Sequence, residues 1–285
     1  MTGSGPGLDA RHASGGTSRA VGSWHALLRA NAVLSLALLF ATADAVAHLH
    51  YADDEAPWRL QLALSALYVF GCVFRSMLPV YDAPRIVLVD SPLSSVMVGR
   101  SVATVAELCF ASQWALMLHA MALPGHSPLA QAVSLALMPL IVPAEACSWY
   151  AVLTTRQRGH AVENSIWGLS AALMVAGLLV IGPHRIAELY LPTLAWCIGG
   201  AAYVGFIFLI DVPMYWSRGL ADEASERPYL SITQGLVDIC RRRIVSYRWE
   251  DWRSEMLWMS LYFTLGVWSS LSLVFASVAL GAHRN

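Results

Sequence analysis

Apolar residues in this chain gather into seven long blocks separated by short polar stretches. A hydrocarbon core about 30 Å thick is crossed by roughly 20 consecutive, mostly apolar residues in a helix. The blocks at 26–48, 59–79, 96–121, 129–153, 164–183, 188–211 and 256–280 all reach that length. The pattern predicts an all-α polytopic membrane protein with seven transmembrane helices. The first block is too long for the apolar core of a signal peptide and reads as a retained span. Residues 1–22, rich in Gly, Ser and Ala, read as a disordered tail. The membrane domain is then 23–285.

Orientation follows from the arginines. Fifteen of the eighteen basic residues fall on one set of alternating connections, and only Arg59, Arg185 and Arg284 fall on the other. Basic residues near span ends mark the cytoplasmic side. The N-terminus is therefore expected in the cytoplasm and the C-terminus outside. One connection is long, and its stretch 217–254 reads as a cytoplasmic loop. Within it, Ile232, Leu236, Ile239, Cys240, Ile244 and Tyr247 share one helical stripe, with Arg241, Arg242 and Arg248 off it. Such a basic amphipathic helix is expected to lie among anionic lipid headgroups over 229–253, or to dock a soluble partner.

Composition narrows the chemistry. At 57% apolar and 13% charged residues, against about 25% charged in soluble domains, the spans leave no room for a sizeable soluble domain. The net charge of −1 and the absence of any nucleic-acid motif point away from a polyanionic partner. The chain contains no lysine, which excludes a retinal or pyridoxal Schiff base. Five cysteines lie scattered without CxxC spacing. There is no HExxH, no GxSG, no glycine-rich nucleotide loop and no histidine in the last span.

Ionisable groups inside a membrane are costly, so each one is a candidate for function. Asp44, Glu107, Glu145, Glu163 and Asp211, with Arg75 and Arg100, form the expected proton or substrate pathway. Pro139 and Pro143 precede Glu145 in the fourth span, where paired prolines predict a broken helix with a carboxylate at the break. A second, outer group collects His48, His50, His119 and His126. Asp44 lies four residues before His48, and Met117 and Met121 flank His119. That set could hold a metal or haem. No cofactor is otherwise legible. Three function classes remain: a proton-linked transporter or channel, an intramembrane enzyme acting on a lipid or isoprenoid, and a non-catalytic scaffold. The spread of single carboxylates over several spans favours transport, because an enzyme more often concentrates its groups.

Overall fold

The computed structural model describes residues 7–49, 57–123, 127–182 and 189–282, with side chains described for 19–48, 58–123, 127–182 and 189–280. Among the described residues, seven helices are long and apolar enough to cross a membrane. They are carried by α1 (Gly7–Leu49), α2 (Pro57–Met77), α3 (Val96–Ala122), α4 (Pro128–Thr154), α5 (Gln157–Ile181), α6 (Tyr190–Phe206) continuing into α7 (Val212–Ala224), and a last helix built in two parts. The architecture is that of a multi-pass helical membrane protein.

Local signals start and stop these helices. Ser95 caps α3, its hydroxyl accepting from the Val98 amide at 3.4 Å, and Ser127 with Pro128 opens α4 in the same way. Thr155 turns left-handed (φ 61°) and ends α4, and α5 begins two residues later. A link this short makes α4 and α5 antiparallel neighbours. It places the end of α4 beside the start of α5, where Glu145 and Glu163 lie.

Two features of these helices differ from expectation. Residues 7–22 are drawn as helix where composition suggests a disordered tail. From Arg19 onward the reason is packing: Val21 and Trp24 are buried, and the Trp24 ring meets Trp252 at 5.6 Å. The fourth span is one unbroken helix through Pro139 and Pro143, not a broken one. Neighbouring helices can absorb the backbone groups a proline frees. The irregular turns occur elsewhere. A π-helical segment, Ile207–Asp211, joins α6 to α7 directly before Pro213, whose ring cannot tolerate the carbonyl at Leu209 in regular α geometry. A second one, Tyr262–Gly266, joins α9 (Trp249–Leu261) to α10 (Val267–Ala282). It ends where Gly266 meets Tyr68 so closely that an added Cβ would lie 2.1 Å from the phenol oxygen.

The arginine-rich end is closed by a small cap. Strands β1 (Val80–Tyr81) and β2 (Ile86–Val87) form a hairpin, and β3 (Ile244–Val245) adds parallel to β2. Arg85, only 1% exposed, ties the cap together. Its guanidinium donates to Asp238 at 2.8 Å, to the Asp82 carbonyl at 2.5 Å and to the Val152 carbonyl at 2.8 Å. Asp238 belongs to α8 (Ile232–Arg241), opened by a Ser231–Gln234 capping box. The expected stripe is cut short at Arg241, because Ile244 belongs to β3. Helix α8 turns Gly235 and Ile239 inward, leaving Ile232, Leu236 and Val237 exposed. At Gly235 the Leu153 carbonyl is so near that a Cβ would lie 2.1 Å from its oxygen.

Candidate functional site: a buried arginine–carboxylate centre

Helix α3 carries Arg100, Thr104 and Glu107 at i, i+4 and i+7, so all three share one face. From Val96 to Glu107 the helix rises about 16 Å, roughly half the hydrocarbon thickness. Opposite this face lie Glu145 of α4 and Glu163 of α5. The Arg100 guanidinium donates through Nη2 to Glu107 Oε2 and to Glu145 Oε2, both at 2.7 Å, and stands 3.7 Å from Glu163 Oε1. One oxygen from each of the three carboxylates lies within 4.8 Å of the others. Arg100, Glu145 and Glu163 are all buried.

Further side chains hold the acids in place. Thr104 donates its hydroxyl to Glu145 Oε2 at 2.7 Å and accepts from the Trp149 indole at 3.0 Å. The His160 ring bonds Glu163 Oε2 at 2.8 Å through Nδ1. Tyr262, the first residue of the second π segment, donates weakly to Glu107 Oε1 at 3.4 Å. Asn164 donates to Asp211 at 2.5 Å, and Asp211 closes the first π segment. Both irregular helical turns thus carry a polar side chain to this region, a placement common for π segments at functional sites. At the rim, Arg218 donates to the Tyr81 phenol at 3.3 Å. Burial first, and Glu255 second, push the Tyr81 phenol above its ordinary value, so it stays neutral.

The centre is over-acidic and incompletely bonded. Three carboxylates share the Arg100 guanidinium, and the nearest further basic groups are Arg75 beside Glu107 and His160 on Glu163. Glu145 Oε1 and, one turn further along α4, the Ser148 hydroxyl are buried with no hydrogen-bond partner. A buried acceptor left unmade costs about 1–3 kcal/mol, more when charged.

Of the expected pathway residues, Arg100, Glu107, Glu145 and Glu163 come together. Arg75 sits nearby, its guanidinium 5.8 Å over the Phe263 ring and close enough to Glu107 to act on it electrostatically. Asp211 pairs with Asn164 next to the centre. Asp44 does not join them. It pairs with His48 at 3.3 Å on the outside of α1, with side chains 76% and 80% exposed. His119 bonds the Ser134 hydroxyl at 3.2 Å. His50 and His126 lie outside the described residues, so the outer histidine set is not brought together among those that are described. Sequence reasoning did not single out Thr104, His160 or Tyr262. Thr104 and His160 had a signal, their helical spacing from Arg100 and Glu163; Tyr262 had none.

Comparisons with protein-family models, with curated proteins and with solved structures find no match for this chain.

Proposed function

We propose that the protein is an intramembrane enzyme acting on a lipid or isoprenoid substrate that reaches the carboxylate centre from the arginine-rich end. The observation that carries this reading is concentration: ionisable groups from α3, α4, α5 and the α6–α7 junction meet in one region. The opposite half of the bundle is filled with buried Trp114, Leu118, Leu137, Leu178 and Leu273. Chemically, Glu145 is anchored through one oxygen by Arg100 and Thr104, which leaves the other oxygen to exchange a proton with a substrate group. His160, bonded to Glu163 nearer the mouth, can pass that proton on. The exposed Ile232, Leu236 and Val237 beside Arg241 and Arg242 support contact with anionic headgroups at the same end.

A proton-conducting role, the reading favoured by the sequence, has less support. Its outer station, Asp44 with His48, faces away from the bundle, so it does not continue the row of carboxylates from Glu107.

The test is reconstitution of the full chain into liposomes made from the host membrane's total lipid extract, followed by lipid mass spectrometry. Wild-type protein is expected to convert a lipid species, and Glu145→Gln is expected to leave that species untouched. An unchanged lipid profile, together with pH-driven proton uptake that Glu145→Gln abolishes, would return the transport reading. No effect of Glu145→Gln in either assay would leave the scaffold.

A further inference from the structure

We infer that Glu107, Glu145 and Glu163 bind one divalent cation with a preference for hard oxygen donors, Mg²⁺ or Mn²⁺. The inference rests on reading this centre as the working site and deepens it by naming what the acids hold. Charge is the first argument. Three carboxylates gather on one guanidinium, with Arg75 the next arginine nearby, so the acids outnumber the arginines and a divalent ion adds positive charge where it is short. A buried, uncompensated negative charge is costly, and a metal removes that cost in a single step.

Geometry is the second argument. The three carboxylates come from three different helices, and one oxygen of each falls within a 4.8 Å envelope. Metal–oxygen distances of about 2.1 Å for Mg²⁺ and 2.3–2.6 Å for Ca²⁺ put coordinating oxygens within such a span of one another. The oxygens already committed to Arg100, Thr104 and His160 fix the orientation of the acids, as outer hydrogen bonds commonly do around metals.

The unpartnered atoms are the third argument and are independent of the acid count. Glu145 Oε1 is buried, receives no hydrogen bond from a donor side chain, and belongs to a carboxyl that lies against Glu107 as well as Arg100. Ser148 Oγ, fully buried and also unpartnered, stands one turn away on the same face of α4. A cation on Glu145 Oε1, with a coordinated water donating to Ser148 Oγ, satisfies both; with the metal bound, that water and not Glu145 Oε1 would be the group that exchanges a proton with the substrate. Arg100 Nε, another buried atom without a partner, is then available to a substrate oxygen bound beside the metal.

The ligand chemistry selects among metals. His160 is occupied by Glu163 and there is no thiolate among the three ligands, so the set is all oxygen. That disfavours Zn²⁺ and Cu²⁺. With three protein oxygens the set falls short of the 6–8 ligands Ca²⁺ takes, whereas Mg²⁺ ordinarily keeps several waters.

The experiment uses purified full-length protein in nanodiscs, stripped with a chelator and titrated with Mn²⁺ while free Mn²⁺ is followed by electron paramagnetic resonance. The expected result is about one site per chain, displaced by Mg²⁺ and weakened on the order of 100-fold in Glu145→Gln and in Glu163→Gln. Asp44→Asn should bind as wild type does. A rise in the wild-type melting temperature on adding Mn²⁺ gives a readout that needs no variant to fold. No saturable site in wild type, or equal binding in the glutamate variants, would overturn the inference and leave shared protons as the compensating charge. Lipid turnover that survives the chelator would sink the metal and keep the enzyme; Mn²⁺ binding without any turnover would do the reverse.

Discussion

Two buried polar networks sit in the same bundle, and they are built on opposite principles. Towards the arginine-poor end, Gln61 and Gln113 each donate an amide to the other's backbone carbonyl, at 3.0 and 3.1 Å. Ser270 donates to Gln113 Oε1 at 2.6 Å and meets Ser65 at 2.8 Å. Every member is neutral, and only Gln61 Oε1 is left over. The network pins α2, α3 and α10 together and asks nothing of the surroundings. Towards the arginine-rich end, three glutamates outnumber the guanidiniums of Arg100 and the more distant Arg75, and ligand-capable atoms are left without partners. A fold gains stability from the first arrangement. The second sacrifices some stability, which is what a site does.

Arg100→Gln is the sharpest way to break this contrast. It leaves three carboxylates, two of them buried, without the guanidinium they share and should cost about 3–5 kcal/mol of unfolding free energy. Adding Glu145→Gln to that variant should recover part of the loss, because one repelling charge is gone. Chemical unfolding of the two variants side by side checks it; an equal or larger loss in the double variant would contradict the charge argument. Gln113→Leu comes next, because it strands the Ser270 and Gln61 groups that bond it. A loss of about 1–3 kcal/mol is expected, with Mn²⁺ binding unchanged, measured by unfolding and titration of the same preparation. Gly235→Ala should cost about 1–3 kcal/mol by forcing α8 off the Leu153 carbonyl. Limited proteolysis near Arg241 should register that displacement. The smallest effect is expected at Asp44→Asn, within about 0.5 kcal/mol of wild type and with turnover intact, since its exposed pair with His48 contributes little.

The seven spans were legible because apolar length is a strong signal, and the second to fifth expected blocks match the helices at both ends to within about two turns, whereas the helix of the first begins earlier, at Gly7. The sixth and seventh were drawn too short. Their helices continue through polar residues such as Arg218 and Glu255 to Ala224 and from Trp249, where hydropathy no longer marks them. The membership of the acid centre was half legible. Glu107, Glu145 and Glu163 stood out as intramembrane charges, and the short links before α4 and α5 imply that α3, α4 and α5 are neighbours. What could not be read was facing. A helix that is apolar all round gives no moment to say which side meets lipid, so the Asp44–His48 pair looked inward and lies outward. The π segments depend on contacts with α2, α5 and Pro213, and paired prolines drew attention to the fourth span, which is unbroken.

The central claim is that the carboxylate centre serves function at the expense of stability. Glu145→Gln measures this directly when lipid turnover and unfolding are followed on one sample. The account predicts that turnover is lost while the chelator-stripped protein unfolds at the wild-type midpoint or above it. An unfolding midpoint that falls as far as in Arg100→Gln would make Glu145 a structural brace and contradict the account.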